Sequence, residues 1–241
     1  MAKSGYHDID QNYNFRVNDR RRAWMSWSSG KDSTMALDVM RRDENVDVVA
    51  LLVTMNAAAD RVAMHAVRRA LVEAQADRLG LALHVIDIPS PCTNEVYELR
   101  MSGAIDSALA DGIEHFVFGD LFLEDVRSYR EEKLAGTGIS PLFPLWGQPT
   151  NTLARSMIDS GVRAVVTCVD PSHISASFAG RFFDARLLTD LPASVDPCGE
   201  RGEFHTFVFD GPGFSSPIDI EIGEVVERDG FVFCDLRPRF G

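Results

Sequence analysis

The chain has 241 residues, of which 45% are hydrophobic and 25% are charged, as in a globular protein with one large or two modest domains. Its formal net charge is −12, so it lacks the cationic field that nonspecific binding to nucleic acid or anionic lipid requires. No apolar run approaches the length of a membrane span, and the four cysteines form no Cys-x-x-Cys pair that would indicate a zinc or iron–sulfur site. We therefore expect a cytoplasmic protein with free thiols.

After a polar N-terminal extension at residues 1–21, strand-like and helix-like patterns alternate along the chain. The strand-like runs are Arg22–Trp27, Val46–Thr54, Leu83–Ile88, His115–Phe118 and Ala164–Val169. The helix-like runs between them are Ser33–Arg42, Val62–Leu79, Asn94–Ala110, Val126–Ala135 and Asn151–Ser160. This alternation predicts an α/β fold, with a parallel, Rossmann-like sheet covered by helices on both faces.

The composition changes after Gly136, where residues 136–147 are rich in glycine and proline and read as an irregular crossing segment. Further on, the β-like runs look antiparallel and predict a smaller C-terminal α+β lobe; they are Phe204–Phe209, Ile218–Val226 and Phe231–Leu236. We therefore expect a nucleotide-binding α/β domain at residues 22–140 and a substrate-side lobe at residues 141–241.

A loop of small residues, Ser28-Ser29-Gly30-Lys31-Asp32-Ser33, follows the first strand-like run. Backbone N–H groups at a strand-to-helix turn favour an anion, and parallel sheets bind ligands at the carboxyl ends of their strands. We expect Ser28, Gly30 and Ser33 to hold phosphate oxygens, Lys31 to add positive charge, and Asp32 to hold Mg²⁺ directly or through water. The alternative is a plain turn in which Asp32 or Ser33 caps the helix.

Gly119-Asp120 follows the fourth strand-like run, at the same edge of the predicted sheet as the loop. A carboxylate at that position is suited to holding a metal or to orienting a substrate amine. The alternative is a helix start, in which Asp120, Glu124 and Asp125 offset the helix dipole.

The stretch Asp196–Thr206 places charged side chains beside glycines, a pattern typical of a loop that approaches a ligand closely. Glu200 or Glu203 is suited to bind a metal or to act as a base, and His205 to transfer a proton. Cys198 has no evident base partner, so we expect a buried, inert thiol there. The alternative for the whole stretch is a charged hairpin.

Taken together, these segments resemble a known family. The first loop resembles the PP-loop of ATP pyrophosphatases, Ser-Gly-Gly-x-Asp-Ser, although Ser29 stands where glycine is usual and serine restricts φ. The run from Cys198 to Thr206 resembles the Cys-Gly-Glu-x-Gly-Glu-Phe/Tyr-His-Thr signature of the diphthine–ammonia ligase family. Further matches follow that family's order, with Met64-His65 similar to an element of its bacterial members; they are Gly119-Asp120, Pro141–Trp146 and Asp210-Gly211-Pro212.

The resemblance, which covers roughly Ala23 to Phe214, implies an ATP-dependent ligase. A carboxylate attacks the α-phosphate of ATP, pyrophosphate leaves, and ammonia or an amine then displaces AMP from the acyl-adenylate. The implied nucleotide-binding residues are Ser28, Ser29, Gly30, Lys31, Asp32, Ser33 and Gly119, with Val53, Thr54 and Met55 beside adenine. The implied catalytic residues are Lys31, Asp32, Asp120, Glu200, Glu203 and His205.

The expected partners are therefore ATP or AMP with Mg²⁺, a carboxylate borne by a small molecule or a protein, and ammonia or an amine. A homodimer is left open. His65 is expected to be a polar contact at a helix start rather than a group near the nucleotide. Two other functions remain: an RNA-modifying PP-loop enzyme, which the acidic charge and the lack of cysteine pairs disfavour, and a non-catalytic ATP- or AMP-binding sensor, which Ser29 leaves open.

Overall fold

The computed structural model describes residues 20–62 and 65–239, which form two sheets. Except for Arg20 and Arg21, the predicted N-terminal extension lies outside the described residues, as does Met64. In the part of the chain that the structure describes, no helix combines the length and apolar character needed to cross a membrane.

The first sheet is parallel apart from one short strand, and its parallel strands lie in the order β4-β2-β1-β5-β6. The short β3 pairs antiparallel with the end of β2. These strands are β1 (Arg21–Ser26), β2 (Val46–Asn56), β3 (Arg61–Val62), β4 (Ala82–Ile88), β5 (His115–Val117) and β6 (Ser140–Leu142). The connecting helices are α1 (Lys31–Arg41), α2 (Arg69–Leu79), α3 (Asn94–Ala110) and α4 (Glu124–Leu134).

Helices cover both faces of this sheet, as predicted. Alternate residues of a strand point to opposite faces, so neighbouring residues of β1 pack against different helices. In β1, Met25 packs in a core cluster with Leu37 of α1 and Leu71 of α2. Its neighbour Trp24 packs in a second cluster with Ala108 of α3 and Leu134 of α4. The predicted α/β fold is therefore confirmed.

The smaller C-terminal lobe contains an antiparallel sheet in the order β8-β7-β10-β9. Its strands are β7 (Arg163–Val169), β8 (Phe204–Asp210), β9 (Ile220–Arg228) and β10 (Phe231–Pro238), and its helices are α5 (Thr150–Asp159) and α6 (Ala185–Asp190). The expectation that Ala164–Val169 continues the parallel sheet is wrong, because this strand pairs antiparallel with β8 and β10. A strand buried on both faces is equally apolar in either setting, so its composition did not reveal its partners.

Two further differences lie near the predicted site. Helix α2 begins at Arg69 rather than Val62, because Val62 instead pairs with Met55 in the sheet. The crossing segment contributes the edge strand β6, where Pro141 is tolerated because an edge strand needs fewer backbone donors. The strand therefore straddles the predicted boundary between residues 140 and 141.

Candidate active site

A cavity of about 730 Å³ opens at the carboxyl edge of the parallel sheet. One end is polar and brings together residues from the first loop, the end of β5 and the start of β8; they are Ser28, Lys31, Asp32, Ser33, Gly119, Asp120, Glu200 and His205. The other end lies beneath α3 and α4 and mixes apolar with charged side chains; it includes Leu52, Met101, Ile105, Leu109, Phe116, Phe118 and Leu134, together with Glu98, Asp106, Arg130 and Lys133. Residues far apart in the sequence thus meet in one cavity.

Five predicted site residues do not line this cavity, and Glu203 is one of them. Val53 and Met55 are fully buried in the cluster beneath α1 and α2, whereas Thr54, between them, faces the cavity. Ser29 and Gly30 lie behind the cavity wall and shape the loop from there.

The first loop leads directly into α1, whose N-cap is Gly30 with φ −95° and ψ 177°. The Lys31 N–H donates to Thr206 Oγ1 at 3.2 Å. The N–H groups of Asp32 and Ser33, in the first helical turn, have no carbonyl four residues earlier within the helix to bind. The alternative, in which Asp32 or Ser33 caps the helix, is wrong, because Gly30 is the N-cap and no side chain caps it. The helix start therefore retains the N–H groups that an anion would bind.

Ser29 has φ +69°, in the left-handed region where glycine is favoured. Its side chain is fully buried, and within the described residues its hydroxyl has no hydrogen-bond partner. Its carbonyl accepts hydrogen bonds from the Val208 N–H at 3.0 Å and from Gln75 Nε2 at 3.1 Å. The loop conformation is thus held by contacts with α2 and β8.

Lys31 is nearly inaccessible, with a side chain that is 2% exposed, and its Nζ lies 2.8 Å from Asp32 Oδ2. The Nζ also lies 5.2 Å from the ring centroid of Phe204 and 5.7 Å from that of Phe183. Burial opposes its charge, but the combined attraction of groups led by Asp32 raises the Lys31 pKa. The lysine is therefore charged, and Asp32 already pairs with it.

Asp32 has one engaged and one orphaned oxygen. Oδ2 accepts from Lys31, whereas Oδ1 is buried and, among the described residues, has no hydrogen-bond partner. Burial raises the pKa of the Asp32 carboxyl, although Lys31 opposes the rise. No cluster of three or more metal-ligating side chains occurs in the described residues, so a cation here would rely on Asp32, phosphate oxygens and water.

Glu200 enters the cavity from the loop before β8, and its Oε1 accepts the Leu121 N–H at 2.7 Å. Burial raises the pKa of Glu200 to about 7. Glu203 does not line the cavity. Its two oxygens instead accept the N–H groups of Asp196 and Arg201, each at 2.9 Å, so it braces the loop that carries Glu200.

Asp120 lines the cavity and forms a bidentate pair with Arg130, with contacts of 2.5 and 3.1 Å. Of the three residues in the alternative of an offset helix dipole, Glu124 and Asp125 lie in the first turn of α4, whereas Asp120 precedes the helix and binds Arg130. Gly119 lies so close to α1 that a Cβ atom there would be 3.0 Å from backbone atoms of Asp32 and Ser33.

His65 also lines the cavity, contrary to the expectation of a mere contact at a helix start. Its ring lies 4.5 Å from that of His205, centroid to centroid, and its Nδ1 lies 3.2 Å from the Thr206 carbonyl oxygen. The Met64-His65 element was the sequence signal for this position. Cys198 is buried, as expected, and its Sγ lies 3.6 Å from the Thr150 carbonyl oxygen, while burial raises its pKa.

A parallel sheet with a helix start at its carboxyl edge and a cavity above it defines an α/β protein with the form of an anion-binding site. Residues 21–140 match the family model described as diphthamide synthase N-terminal domain, and residues 149–237 match the diphthamide synthase C-terminal domain. The chain therefore belongs to the diphthamide synthase family, whose curated members include diphthine–ammonia ligases.

Individual relatives are distant. A diphthine–ammonia ligase of Schizosaccharomyces pombe is 30% identical over 106 residues, which cover 42% of this chain and 18% of the relative. The Rattus norvegicus protein is 30% identical over 120 residues, covering 47% of this chain and 45% of the relative. The Homo sapiens protein is 28% identical over the same length, with the same coverage. The matched region thus spans less than half of these curated relatives.

Proposed function

We propose that the protein is an ATP-dependent ligase that adenylates a carboxylate, releases pyrophosphate and then forms an amide with ammonia or an amine. The observation that carries this proposal is the meeting of an open helix start and acid–base side chains in one cavity. Membership of a family whose curated relatives are named diphthine–ammonia ligases supports this class of reaction.

The phosphates of ATP bind at the start of α1. The N–H groups of Asp32 and Ser33 offer hydrogen bonds, and the helix dipole favours negative charge there. The Ser28 hydroxyl adds a further hydrogen bond by turning away from Ser33 Oγ, to which it donates at 3.2 Å. The orphaned Asp32 Oδ1 fits Mg²⁺, which would neutralise phosphate charge when bound. Lys31 holds Asp32 in place, and Thr54 marks the side of the cavity that takes adenine.

In the first step, an oxygen of the substrate carboxylate attacks the α-phosphorus, the bond to the bridging oxygen of the β-phosphate breaks, and pyrophosphate leaves. In the second step, the nitrogen attacks the acyl carbon, AMP leaves, and the nitrogen loses a proton. Glu200, whose pKa is raised by burial to about 7, is suited to accept that proton near neutral pH. Asp120, fixed by Arg130, orients the nitrogen nucleophile, and Glu203 positions the loop of Glu200.

The acceptor to test first is diphthine, because the curated relatives are named for it. The assay supplies ATP, Mg²⁺, ammonium and a diphthine-bearing protein, or a panel of small carboxylates, and separates AMP and pyrophosphate from ADP and phosphate. We expect AMP and pyrophosphate that depend on the carboxylate. Formation of ADP and phosphate would contradict the proposed adenylation.

Asp32→Ala is expected to lower pyrophosphate release by about 100-fold, since it removes a group next to the reacting phosphates. Asp38→Ala is the matched control, because Asp38 lies on the same helix but pairs with Arg42 away from the cavity. Equal turnover in the two variants would contradict the placement of the phosphates.

A second candidate is an ATP- or AMP-binding sensor without turnover. The burial of Lys31 and its pairing with Asp32 favour it, because a lysine so held offers little charge to a transition state. Nucleotide binding without AMP and pyrophosphate under any substrate condition would support the sensor.

A further inference from the structure

Among the described residues, the cations that line the cavity are Lys31, Arg130 and Lys133, and each is paired with a carboxylate, so little unpaired positive charge is left for a phosphate. Lys31, the cation of the first loop, is paired with Asp32 and lies against the rings of Phe204 and Phe183. Asp32 and Glu200 add acidic groups to the polar end of the cavity. A nucleotide brings several negative charges, so a further positive group there would strengthen its binding.

Two histidines occupy the wall beside the helix start. The His65 and His205 rings are 4.5 Å apart and tilted by 37°, and both line the cavity. A Cβ placed on Gly30, the N-cap of α1, would lie 3.1 Å from His65 Cε1, so this ring touches the phosphate-binding turn. The pair is therefore next to the N–H groups that would bind an anion.

The tautomer of His65 follows from its hydrogen bond. A carbonyl oxygen can only accept, so the contact with Thr206 O places the proton of the neutral ring on Nδ1 and leaves Nε2 with a free lone pair. The ring is also held in position from outside the cavity. Arg61 and Arg68, on either side of it in the chain, both bind Asp235 of β10, at 2.9 and 2.7 Å.

Burial, aided by neighbouring positive charge, lowers the pKa of both rings and favours their neutral form in the free protein, although the hydrogen bond to the Thr206 carbonyl opposes this at His65. Burial lowers the pKa of His205 to about 4, and burial together with His205 lowers the pKa of His65 well below its ordinary value. Lys31 of α1 lowers both pKa values further. Two carboxylates line the same cavity, Asp32 and Glu200, and Asp32 is already paired with Lys31. The charges of Arg61 and Arg68 are offset by Asp235, with which both form ion pairs.

We infer that the His65–His205 pair binds a phosphate group of the nucleotide and takes up one proton as it does so. The proton comes from solvent and returns to it when the product leaves. Because the rings are 4.5 Å apart, like-charge repulsion limits the pair to one positive charge. This inference rests on the proposed function only for the identity of the ligand as an adenine nucleotide.

The test is calorimetric binding of α,β-methylene-ATP, which cannot be cut between the α- and β-phosphates. Titration at pH 6 in buffers of different ionisation enthalpy gives the protons taken up per nucleotide. We expect the wild type to take up about one proton more than His205→Gln or His65→Gln. The comparison cancels protons that belong to the nucleotide itself. Both variants should bind about tenfold more weakly at pH 6, with a smaller difference at pH 8.

His173→Gln is the matched control, since His173 is 53% exposed and lies outside the cavity; it should match the wild type. If a variant fails to fold, the ring ¹⁵N chemical shifts of His65 and His205 are followed by NMR against pH in the wild type, with and without nucleotide. We expect nucleotide binding to raise the pKa of the pair. Equal proton uptake in all proteins, or unchanged ring titration, would overturn the inference while leaving AMP and pyrophosphate formation intact. A complete lack of nucleotide binding would overturn both this inference and the proposed function.

Discussion

Ser29 carries two unfavourable features that its neighbours hold in place. A left-handed backbone costs a non-glycine residue roughly 1–2 kcal/mol, and a buried hydroxyl without a partner costs about 1–3 kcal/mol. The sequence pointed to this residue correctly, because serine replaces the glycine usual in the resembled motif and restricts φ. It could not show that Gln75 and Val208, distant in the chain, fix the Ser29 carbonyl.

Ser29→Gly is therefore expected to raise the free energy of unfolding by about 1–2 kcal/mol, after allowing for the backbone entropy of glycine. Ser29→Ala is the control, since it removes the hydroxyl but keeps the backbone strain. Denaturant unfolding of the three proteins measures the difference. A glycine variant no more stable than the alanine variant would show that φ +69° carries little strain here.

Glu200 should make stability fall as pH rises from 4.5 to about 7. Burial raises its pKa to about 7 in the folded protein from an ordinary value of 4.5, so in this window the folded state binds more protons than the unfolded state. The sign of the linkage then makes unfolding easier with rising pH, by about 2 kcal/mol in total after allowing for solvent screening. Glu200→Gln should flatten this part of the curve relative to the wild type, and Glu124→Gln, an exposed change on α4, is the control. If the free energy of unfolding of Glu200→Gln fell with pH as steeply as that of the wild type, Glu200 would not be the source of this pH dependence.

At the scale of elements, the end of β5 is pressed against the start of α1. A Cβ at Gly119 would lie within 3.0 Å of the α1 backbone, which cannot yield as a flexible side chain would. Glycine is therefore needed at this position because it has no Cβ to separate β5 from α1, and not because the backbone requires a positive φ.

Gly119→Ala is expected to displace the first turn of α1 and weaken nucleotide binding at least about tenfold, with about 1–3 kcal/mol lost in stability. Gly103→Ala is the control, because a Cβ at Gly103, within α3, meets no atom within 4 Å. That change should leave binding unaltered and stabilise the helix by about 1 kcal/mol. Normal nucleotide affinity in Gly119→Ala would show that α1 can shift without cost to the site.

Most helices and strands followed from hydrophobic periodicity and from glycines at helix ends, as with α3, whose predicted bounds Asn94–Ala110 match the structure. The errors arose where long-range pairing decides the outcome. The buried strand β7 finds its partners later in the chain, and the segment before α2 turns back to pair with β2. Within the site, Glu203 carries a charge typical of catalysis, but only the folded loop shows that its oxygens are occupied by backbone N–H groups.

At the scale of the whole molecule, one buried amide joins both lobes. Gln75 of α2 accepts from Trp27 Nε1 at 2.8 Å and donates to the carbonyls of Ser29 and Val208, the latter in β8 at 2.6 Å. All of its hydrogen-bonding groups are thus used at a point where helix, loop and second sheet meet.

Gln75→Leu is expected to lower the free energy of unfolding by about 2–4 kcal/mol, because it leaves buried partners without their hydrogen bonds. It should also weaken nucleotide binding, since the Ser29 carbonyl loses one of its two donors. Gln148→Leu makes the same chemical change at an exposed position and serves as the control. Thermal unfolding and nucleotide titration of both variants give the comparison, and equal behaviour would mean that the lobes are held together by their apolar core alone.

The hydrogen bond from the Lys31 N–H to Thr206 Oγ1 has a consequence for how the two lobes evolve. A residue of the second lobe completes the helix start on which the first lobe's nucleotide site depends, and Phe204 beside it covers the Lys31 side chain. Exchanging one lobe for that of a relative preserves this turn only where the incoming lobe supplies the hydroxyl of Thr206 and the ring of Phe204. We expect recombination between homologues to be tolerated in surface loops but selected against at the junction of the lobes, so that both lobes descend together as one evolutionary unit.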